Sequence, residues 1–356
     1  MLRLLRKRWV PALVVVAVVA AVALQAGLPS LAGLQRSVRV LQSARPGWLV
    51  LAAGGSVVYL GCLITLFRLV ARATPGPHVA HLTPMASYRA GMAAQGASTI
   101  VTAAGAGGVA LSIWALHQAG MGTRRAAATM TAQTALLYGV YLLALVVVGP
   151  LLAFGLTSGP APDSLTLIPA LAAAVVLAVV VLVTRAPAAW EERLGRLARS
   201  EGRSAKVARS LLTVPATLSE GLQLACEILN DRSRGPRAAA LAVGAWAGNI
   251  AVLWACFRAF GTTIEVLVVV EAFFVGMAAN LLPLLPGGVG SVDAALVGTL
   301  LAFGEPAAVT VVAVLAYRLI AYWLPTIPEG LAYLTLRRTV SRWHAEANGL
   351  EAGPKR

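Results

Sequence analysis

Stretches of about 20 apolar residues with few or no charges recur along the chain, and each is long enough to cross the hydrocarbon core of a bilayer as a helix. They include Trp9–Leu28, Gly47–Phe67, Ala126–Phe154 and Leu165–Thr184. Only 12% of the residues are charged, whereas soluble domains carry about 25%. Backbone polar groups in hydrocarbon must be satisfied internally, and an α-helix achieves this within one segment. The sequence therefore predicts an all-α polytopic membrane protein.

Two segments of the chain, 91–150 and 276–336, resemble one another. Gly91-Met92-Ala93-Ala94-Gln95 recurs as Gly276-Met277-Ala278-Ala279-Asn280, and after a small drift Gly120 aligns with Gly304. Each segment contains a glycine-rich break, formed by Gly105, Gly107 and Gly108 in the first and by Gly287, Gly288 and Gly290 in the second. Transporters use duplicated units with broken helices to build a site near the middle of the bilayer. The repeat therefore favours transport.

The distribution of basic residues predicts the topology. The positive-inside rule places the basic start of the chain and the basic loop 185–237 in the cytoplasm. Parity then requires Met92–Leu116 to enter and leave by the cytoplasmic face, and Glu265–Phe303 to enter and leave by the outer face. We expect an inverted repeat with two re-entrant broken-helix hairpins and about six full spans, or eight apolar elements in all. Both termini are expected in the cytoplasm of a multi-pass plasma-membrane protein.

The same pattern predicts one integral membrane domain over residues 1–340, with repeat units at about 85–154 and 265–336, and a polar cytoplasmic tail at 341–356. Loop 185–237 is expected to form amphipathic helices on the inner membrane face or a docking platform for a soluble enzyme partner. The formal net charge of +15 fits basic residues that meet anionic headgroups between spans, and it gives no reason to expect a nucleic-acid partner.

The second break holds the strongest candidate binding site. Prolines stop the first half-helix, glycines allow a tight reversal, and the next half-helix begins with unpaired N–H groups that suit an anion such as a lipid phosphate. Asp293 in that first turn is either part of the site or a helix cap, and a hairpin tip without a ligand is the alternative. The residues that form this candidate site are Asn280, Pro283, Pro286, Gly287, Gly288, Gly290, Ser291 and Asp293.

Arg318 lies well inside the last apolar stretch, next to Tyr317. A charge near the bilayer centre costs about 2.5–3.5 kcal/mol on insertion scales, so Arg318 should face the interior with Asp293 or Glu271 as its partner. It either binds substrate or forms a structural ion pair. Four charged residues nearer to span ends are weaker site candidates, because their side chains could reach the interface instead; they are Arg258, Glu265, Glu271 and Glu329.

In the first repeat, the matching positions are the polar Gln95 and the glycines Gly105, Gly107 and Gly108. His78 and His81 lack the further ligands that a metal site needs. No nucleotide-binding loop and no nucleophile–histidine arrangement is present in the sequence. We therefore expect no metal, no cofactor and no enzymatic activity.

The run from Asn280 to Trp323 resembles the transmembrane, flippase-like domain of lysylphosphatidylglycerol synthase and its stand-alone relatives. The matching residues are Pro283, Pro286-Gly287-Gly288-Val289-Gly290, Asp293, Gly304, Tyr317-Arg318 and Tyr322-Trp323-Leu324-Pro325. The first break matches more loosely, because the family often has a proline there. The resemblance implies a plasma-membrane protein that handles an anionic or aminoacylated phospholipid. The synthase's C-terminal transferase domain is not expected here, since only sixteen residues follow Val340.

These observations favour a lipid translocase that works with membrane lipids. Two alternatives stay open at this point. The protein is a carrier for a polyprenyl-phosphate or glycolipid precursor, or it is a membrane scaffold that presents lipid to a separate enzyme.

Overall fold

The computed structural model describes residues 44–74, 76, 78–100, 106–155, 159–185, 216–279 and 290–351, and every regular element among them is helical. The helices in chain order are α1 (Pro46–Ala73), α2 (His78–His81), α3 (Pro84–Ile100), α4 (Ala106–Gln118), α5 (Thr123–Ala153), α6 (Asp163–Arg185), α7 (Ala216–Asn230), α8 (Gly235–Ala259), α9 (Val266–Ala278), α10 (Ser291–Ala302), α11 (Ala307–Arg318) and α12 (Leu324–Glu351).

Five helical stretches in the described part of the chain are long and apolar enough to cross a membrane: α1, α5, α6, α8 and the continuous run Ala307–Ser341. The predicted first span, Trp9–Leu28, lies outside the described residues. Large apolar side chains on α5 and α6, such as Leu143, Val147 and Leu171, are exposed. An apolar exposed surface of this kind suits contact with lipid tails. The chain is an all-α polytopic membrane protein, as predicted.

Each repeat contains two short helices that pack against one another, α3 with α4 (hairpin one) and α9 with α10 (hairpin two). The outer ends of α3 and α4 share a buried cluster that includes Ala86, Leu116 and Leu336. The outer ends of α9 and α10 belong to a larger cluster that includes Val268 and Leu300.

These two clusters lie at opposite ends of α5, since Ala126 belongs to the first and Leu152 to the second. The two hairpins are therefore open toward opposite ends of the bundle. Their depth in a membrane, and the inverted sequence repeat itself, stay predictions.

Two glycines that align in the repeat end α4 and α10 in the same way. Gly120 has φ +98° and Gly304 has φ +90°. The N–H of the following residue returns to a carbonyl five residues earlier in both cases, from Met121 to Leu116 (3.0 Å) and from Glu305 to Leu300 (3.1 Å). This is the Schellman ending, in which a left-handed residue is needed and glycine supplies it without steric cost.

Helices α1 and α8 cross with their backbones in close contact. An added Cβ at Gly55 would lie 2.9 Å from the carbonyl oxygen of Gly248, and one at Gly248 would lie 2.8 Å from the backbone nitrogen of Tyr59. Small residues let helices in membranes approach until their backbones touch, and the packing then provides much of the association energy. This pair lies beside both hairpins, since α1 contacts α3 and α8 contacts α9.

Loop 185–237 is described only from Ala216. The predicted helix is present there as α7, whose Ala225 and Ile228 pack against neighbouring helices, while Leu218 and Leu229 are exposed. Gly221 brings α7 close to α5, because an added Cβ would lie 2.4 Å from the Cβ of Thr131.

The last long helical run is interrupted by a π turn, Leu319–Trp323, between α11 and α12. Pro325 has no N–H for the carbonyl of Ala321, and its ring crowds that carbonyl, which accounts for the wider turn just before it. The Ser56 hydroxyl of α1 donates a hydrogen bond to the carbonyl of Ile320 at 3.4 Å. Single π turns inside α-helices are frequent at functional sites.

Candidate functional site

The second half-helix of hairpin two begins at a glycine with an unusual backbone. Gly290 has φ +84°, a region in which side chains other than glycine are strained. Its N–H donates a hydrogen bond to Oδ2 of Asp293 at 3.0 Å. Asp293 is therefore a helix cap, which was one of the two roles considered from the sequence, and its negative charge lies at the positive end of the helix.

The other oxygen of the same carboxylate holds the buried arginine. Arg318 is 4% exposed, and its Nε donates to Oδ1 of Asp293. Sequence reasoning proposed Asp293 or Glu271 as the partner, and the structure selects Asp293. The pair joins the start of α10 to the end of α11, at the point where the π turn begins.

The side chain of Tyr322 links the Arg318–Asp293 pair to hairpin one. The guanidinium carbon of Arg318 lies 5.1 Å from the ring centroid of Tyr322, a distance at which the ring face attracts a cation. The Tyr322 hydroxyl donates to the carbonyl of Thr99 at 3.5 Å. Arg318 and Tyr322 thus connect the start of α10 with the inner end of α3.

Tyr317, predicted as a site residue, lies close enough to Arg318 and Asp293 to interact with both electrostatically, but its ring has a packing role. It is 5% exposed and packs into the main apolar cluster, where its ring centroid is 6.1 Å from that of Phe273. It is adjacent to Arg318 in sequence, and successive residues on a helix point about 100° apart. Tyr317 therefore supports α11 against α9.

In hairpin one, the predicted site residues divide between polar contact and packing. Gln95 donates from Nε2 to the Tyr59 hydroxyl at 2.9 Å, which ties α3 to α1. An added Cβ at Gly108 would lie 2.1 Å from Oγ of Ser98 and 2.5 Å from the carbonyl oxygen of Ala94, so Gly108 is required for α4 to pack on α3. Gly107 is half-buried beside it.

Several predicted site residues lie outside the described residues: Gly105 in hairpin one, and Asn280, Pro283, Pro286, Gly287 and Gly288 in hairpin two. Ser291 is the first residue of α10 and is half-buried. The described residues Gly290, Ser291, Asp293 and Arg318 therefore form the part of the candidate site whose geometry is seen.

Two carboxyl groups that are weaker candidates from the sequence are buried and do not reach the interface. Glu271 is fully buried and Glu329 is 3% exposed. Both carboxylate oxygens of Glu271, and Oε2 of Glu329, have no hydrogen-bond partner among the described residues. Distance from the span end did not predict the burial of these two side chains, because burial depends on which face of α9 and α12 is covered by other helices.

Glu329 lies between hairpin one and α12. An added Cβ at Gly96 would be 3.1 Å from the Cβ of Glu329, and the Glu329 carboxyl interacts electrostatically with the phenols of Tyr59 and Tyr322. The signal for Glu329 in the sequence is an acidic residue within an apolar stretch, eleven positions after Arg318. Arg258, another weaker candidate, lies over the rings of Trp48 and Trp254, 5.2 and 5.8 Å from their centroids.

The described residues contain no cluster of three His, Cys, Asp or Glu side chains that would bind a metal ion. The charged groups near the second break have a different arrangement. A buried guanidinium, a carboxylate and a half-helix start meet next to an interrupted helix. A guanidinium and the N–H groups at a helix start are the donors from which oxyanions accept hydrogen bonds in proteins.

Comparisons with known proteins agree with this membrane architecture. The family described as the lysylphosphatidylglycerol synthase TM region matches residues 12–328. A UPF0104 membrane protein of Methanothermobacter thermautotrophicus is 35% identical over 79 residues, which cover 22% of this chain and 23% of that protein. A second UPF0104 membrane protein, from Methanocaldococcus jannaschii, is 28% identical over 94 residues, 26% of this chain and 28% of its own. The chain thus aligns with less than a third of each relative's length.

Proposed function

Because the chain belongs to the family of the lysylphosphatidylglycerol synthase transmembrane region, we propose that it is a lipid translocase of the plasma membrane. The family membership supports a membrane protein with a lipid-related role. The finer proposal is that the chain moves an anionic or aminoacylated phospholipid between the leaflets, acts as a carrier and not as an enzyme, and keeps both termini in the cytoplasm.

The observation that carries this proposal is the buried pair of Arg318 and Asp293 at the start of α10. A buried ion pair gains little stability over apolar residues of similar size, because desolvation offsets the Coulombic attraction. A role in binding gives such a pair a function that stability alone does not. Charged residues inside a membrane protein are in general a sign of a substrate or ion pathway.

The geometry suggests how a phosphate would bind. Asp293 already places a carboxylate oxygen on Arg318 and another on the N–H of Gly290. A lipid phosphate offers the same kind of acceptor with the same charge, so it can exchange with Asp293 at the guanidinium and the half-helix start. In the absence of lipid, the carboxylate would keep the arginine paired and limit the cost of its burial.

The test is transport in proteoliposomes that contain a fluorescent phosphatidylglycerol, with dithionite reducing only the probe in the outer leaflet. We expect the wild-type protein to make the inner probe accessible, and Arg318→Ala to abolish this. Arg318→Lys should restore part of the rate, since an ammonium keeps the charge without the planar fork that binds phosphate in two places. Arg337→Ala, at an exposed position of α12, is the control.

Normal transport by folded Arg318→Ala would show that the arginine is structural. Absence of transport by the wild-type protein, for phosphatidylglycerol and its lysyl ester alike, would favour the scaffold or a different lipid cargo.

A further inference from the structure

A second polar site lies far from the ion pair, in a cavity of about 260 Å³ between the start of hairpin one and the end of α12. Its walls include His81, Thr83, Arg89, Thr339 and Trp343. Leu82, Ala86 and Trp343 belong to the buried cluster that joins α3, α4 and α12. The cavity therefore has an apolar floor and a basic rim.

Arg89 is held in place at this rim. Its Nη1 donates to Oγ1 of Thr339 at 2.8 Å, and the Thr339 hydroxyl in turn donates to the carbonyl of Thr335 at 3.1 Å. Thr339 is buried. An arginine fixed by a neutral acceptor keeps its full positive charge, and the remaining donors of its planar fork suit an oxyanion.

Two more arginines converge next to the cavity. Nε of Arg68 and Nη1 of Arg72 both donate to the carbonyl oxygen of Leu82, at 3.2 and 3.4 Å. Leu82 lies between the wall residues His81 and Thr83. Two guanidinium groups that share one neutral acceptor repel one another, and an anion placed nearby would relieve that repulsion.

No carboxylate neutralises these cations in the described part of the chain, where the ion pairs are those of Arg318 with Asp293 and of Arg124 with Glu220. The His81 ring is set against Trp343, with centroids 5.4 Å apart, so it too is oriented toward the cavity. Arg89 and His81 thus line the cavity, and Arg68 and Arg72 lie next to it on the Leu82 carbonyl, without an acidic partner among the described residues.

We propose that this cavity binds a phosphate group, with Arg89 as the principal ligand and Arg68 and Arg72 as supporting charges. A phospholipid headgroup and free phosphate share this chemistry. The apolar floor and the exposed Met85 on the wall suit a headgroup whose glycerol and acyl chains continue along the protein surface. Basic pockets between membrane helices bind anionic headgroups in this manner.

The experiment is native mass spectrometry of the full-length protein in detergent, titrated separately with dioleoylphosphatidylglycerol, dioleoylphosphatidylcholine and inorganic phosphate. We expect phosphatidylglycerol adducts at lower lipid concentration than phosphatidylcholine adducts. Arg89→Gln should weaken phosphatidylglycerol binding about tenfold or more, as expected for the loss of a charged hydrogen bond. Arg124→Gln removes an exposed arginine paired with Glu220 and should leave binding unchanged.

Arg72 is exposed, and its substitution to Gln should not impair folding, so this second variant tests the site if Arg89→Gln is unstable. A several-fold weakening is expected from Arg72→Gln. Displacement of phosphatidylglycerol by inorganic phosphate would assign the site to the phosphate group alone, whereas binding of the lipid but not of free phosphate would assign it to the headgroup.

Equal affinity for phosphatidylglycerol and phosphatidylcholine, together with unchanged binding in the Arg72 and Arg89 variants, would overturn the proposal. This readout measures binding alone, so its result does not depend on whether the protein transports lipid.

Discussion

Substitutions that remove the charges of Arg318 and Asp293 but keep the helix cap test how much the ion pair contributes to the free energy of unfolding. Asp293→Asn keeps an oxygen that can accept the N–H of Gly290 and removes the negative charge. Arg318→Met keeps an unbranched side chain of similar reach and removes the positive charge. Each single variant leaves one charge of the pair uncompensated in a place where Arg318 is 4% exposed.

Leaving one member of a buried pair without its partner costs about 3–5 kcal/mol. At about 1.4 kcal/mol per tenfold change, each single variant should lower the folding equilibrium constant by about two to three and a half orders of magnitude. The double variant Arg318→Met/Asp293→Asn has no uncompensated charge and retains the cap. It should therefore be more stable than either single variant and lie within about 1–2 kcal/mol of the wild type.

The measurement is equilibrium unfolding in mixed micelles with increasing sodium dodecyl sulfate, followed by circular dichroism or tryptophan fluorescence. A coupling energy of at least about 2 kcal/mol between the two positions is expected for side chains in direct contact. Arg337→Met, at an exposed position on the same helical run, serves as a control for the general effect of losing an arginine. If the two single losses add in the double variant, the residues stabilise the protein independently and the reasoning fails.

Two further predictions concern positions away from the site. Gly55→Ala should destabilise the protein by roughly 1–3 kcal/mol, the usual cost of overpacking, because the added Cβ would lie 2.9 Å from the Gly248 carbonyl oxygen; the adjacent Gly54→Ala, with nothing within 4 Å of its Cβ, should be neutral or stabilising in the same unfolding assay. Between α7 and α8, the N–H groups of Arg234 and Ser233 and the Ser233 hydroxyl hold the pKa of Asp231 below its ordinary value of 3.8. A lowered carboxyl pKa stabilises the folded state above the unfolded value, and this is lost as the pH falls through the folded pKa. Asp231→Asn should thus lower the melting temperature at neutral pH and by progressively less in acid, and a difference independent of pH would contradict this.

The sequence predicted the helical membrane class and the association of Arg318 with the second break because both depend on simple energetic terms. Apolar run length determines which segments cross a bilayer, and the cost of a buried arginine requires a partner nearby. The burial of Glu329 and Glu271 was not predicted, since it depends on the rotation of α12 and α9 about their axes. The packing of the Tyr317 ring on Phe273, beside the Arg318 pair with Asp293, has the same cause, since neighbouring residues on a helix face different partners. The Arg89 cavity is lined by two segments, 80–89 and 339–343, that are distant in sequence, so no local pattern indicated it.

The π turn at Leu319–Trp323 rotates the faces of α12 relative to those of α11 about the axis of the helical run that they share. Before it, α11 packs against α10 of hairpin two, and after it, α12 packs against α3 and α4 of hairpin one. A π turn holds about one residue more than an α turn, which is equivalent to a rotation of about 100°. If the same residues formed a regular α-helix without the wider turn, the face that carries Glu329 would rotate away from Gly96 while Arg318 kept its place. Both hairpins thus pack against one helical run, and the size of a single turn in that run sets which of its faces each hairpin contacts.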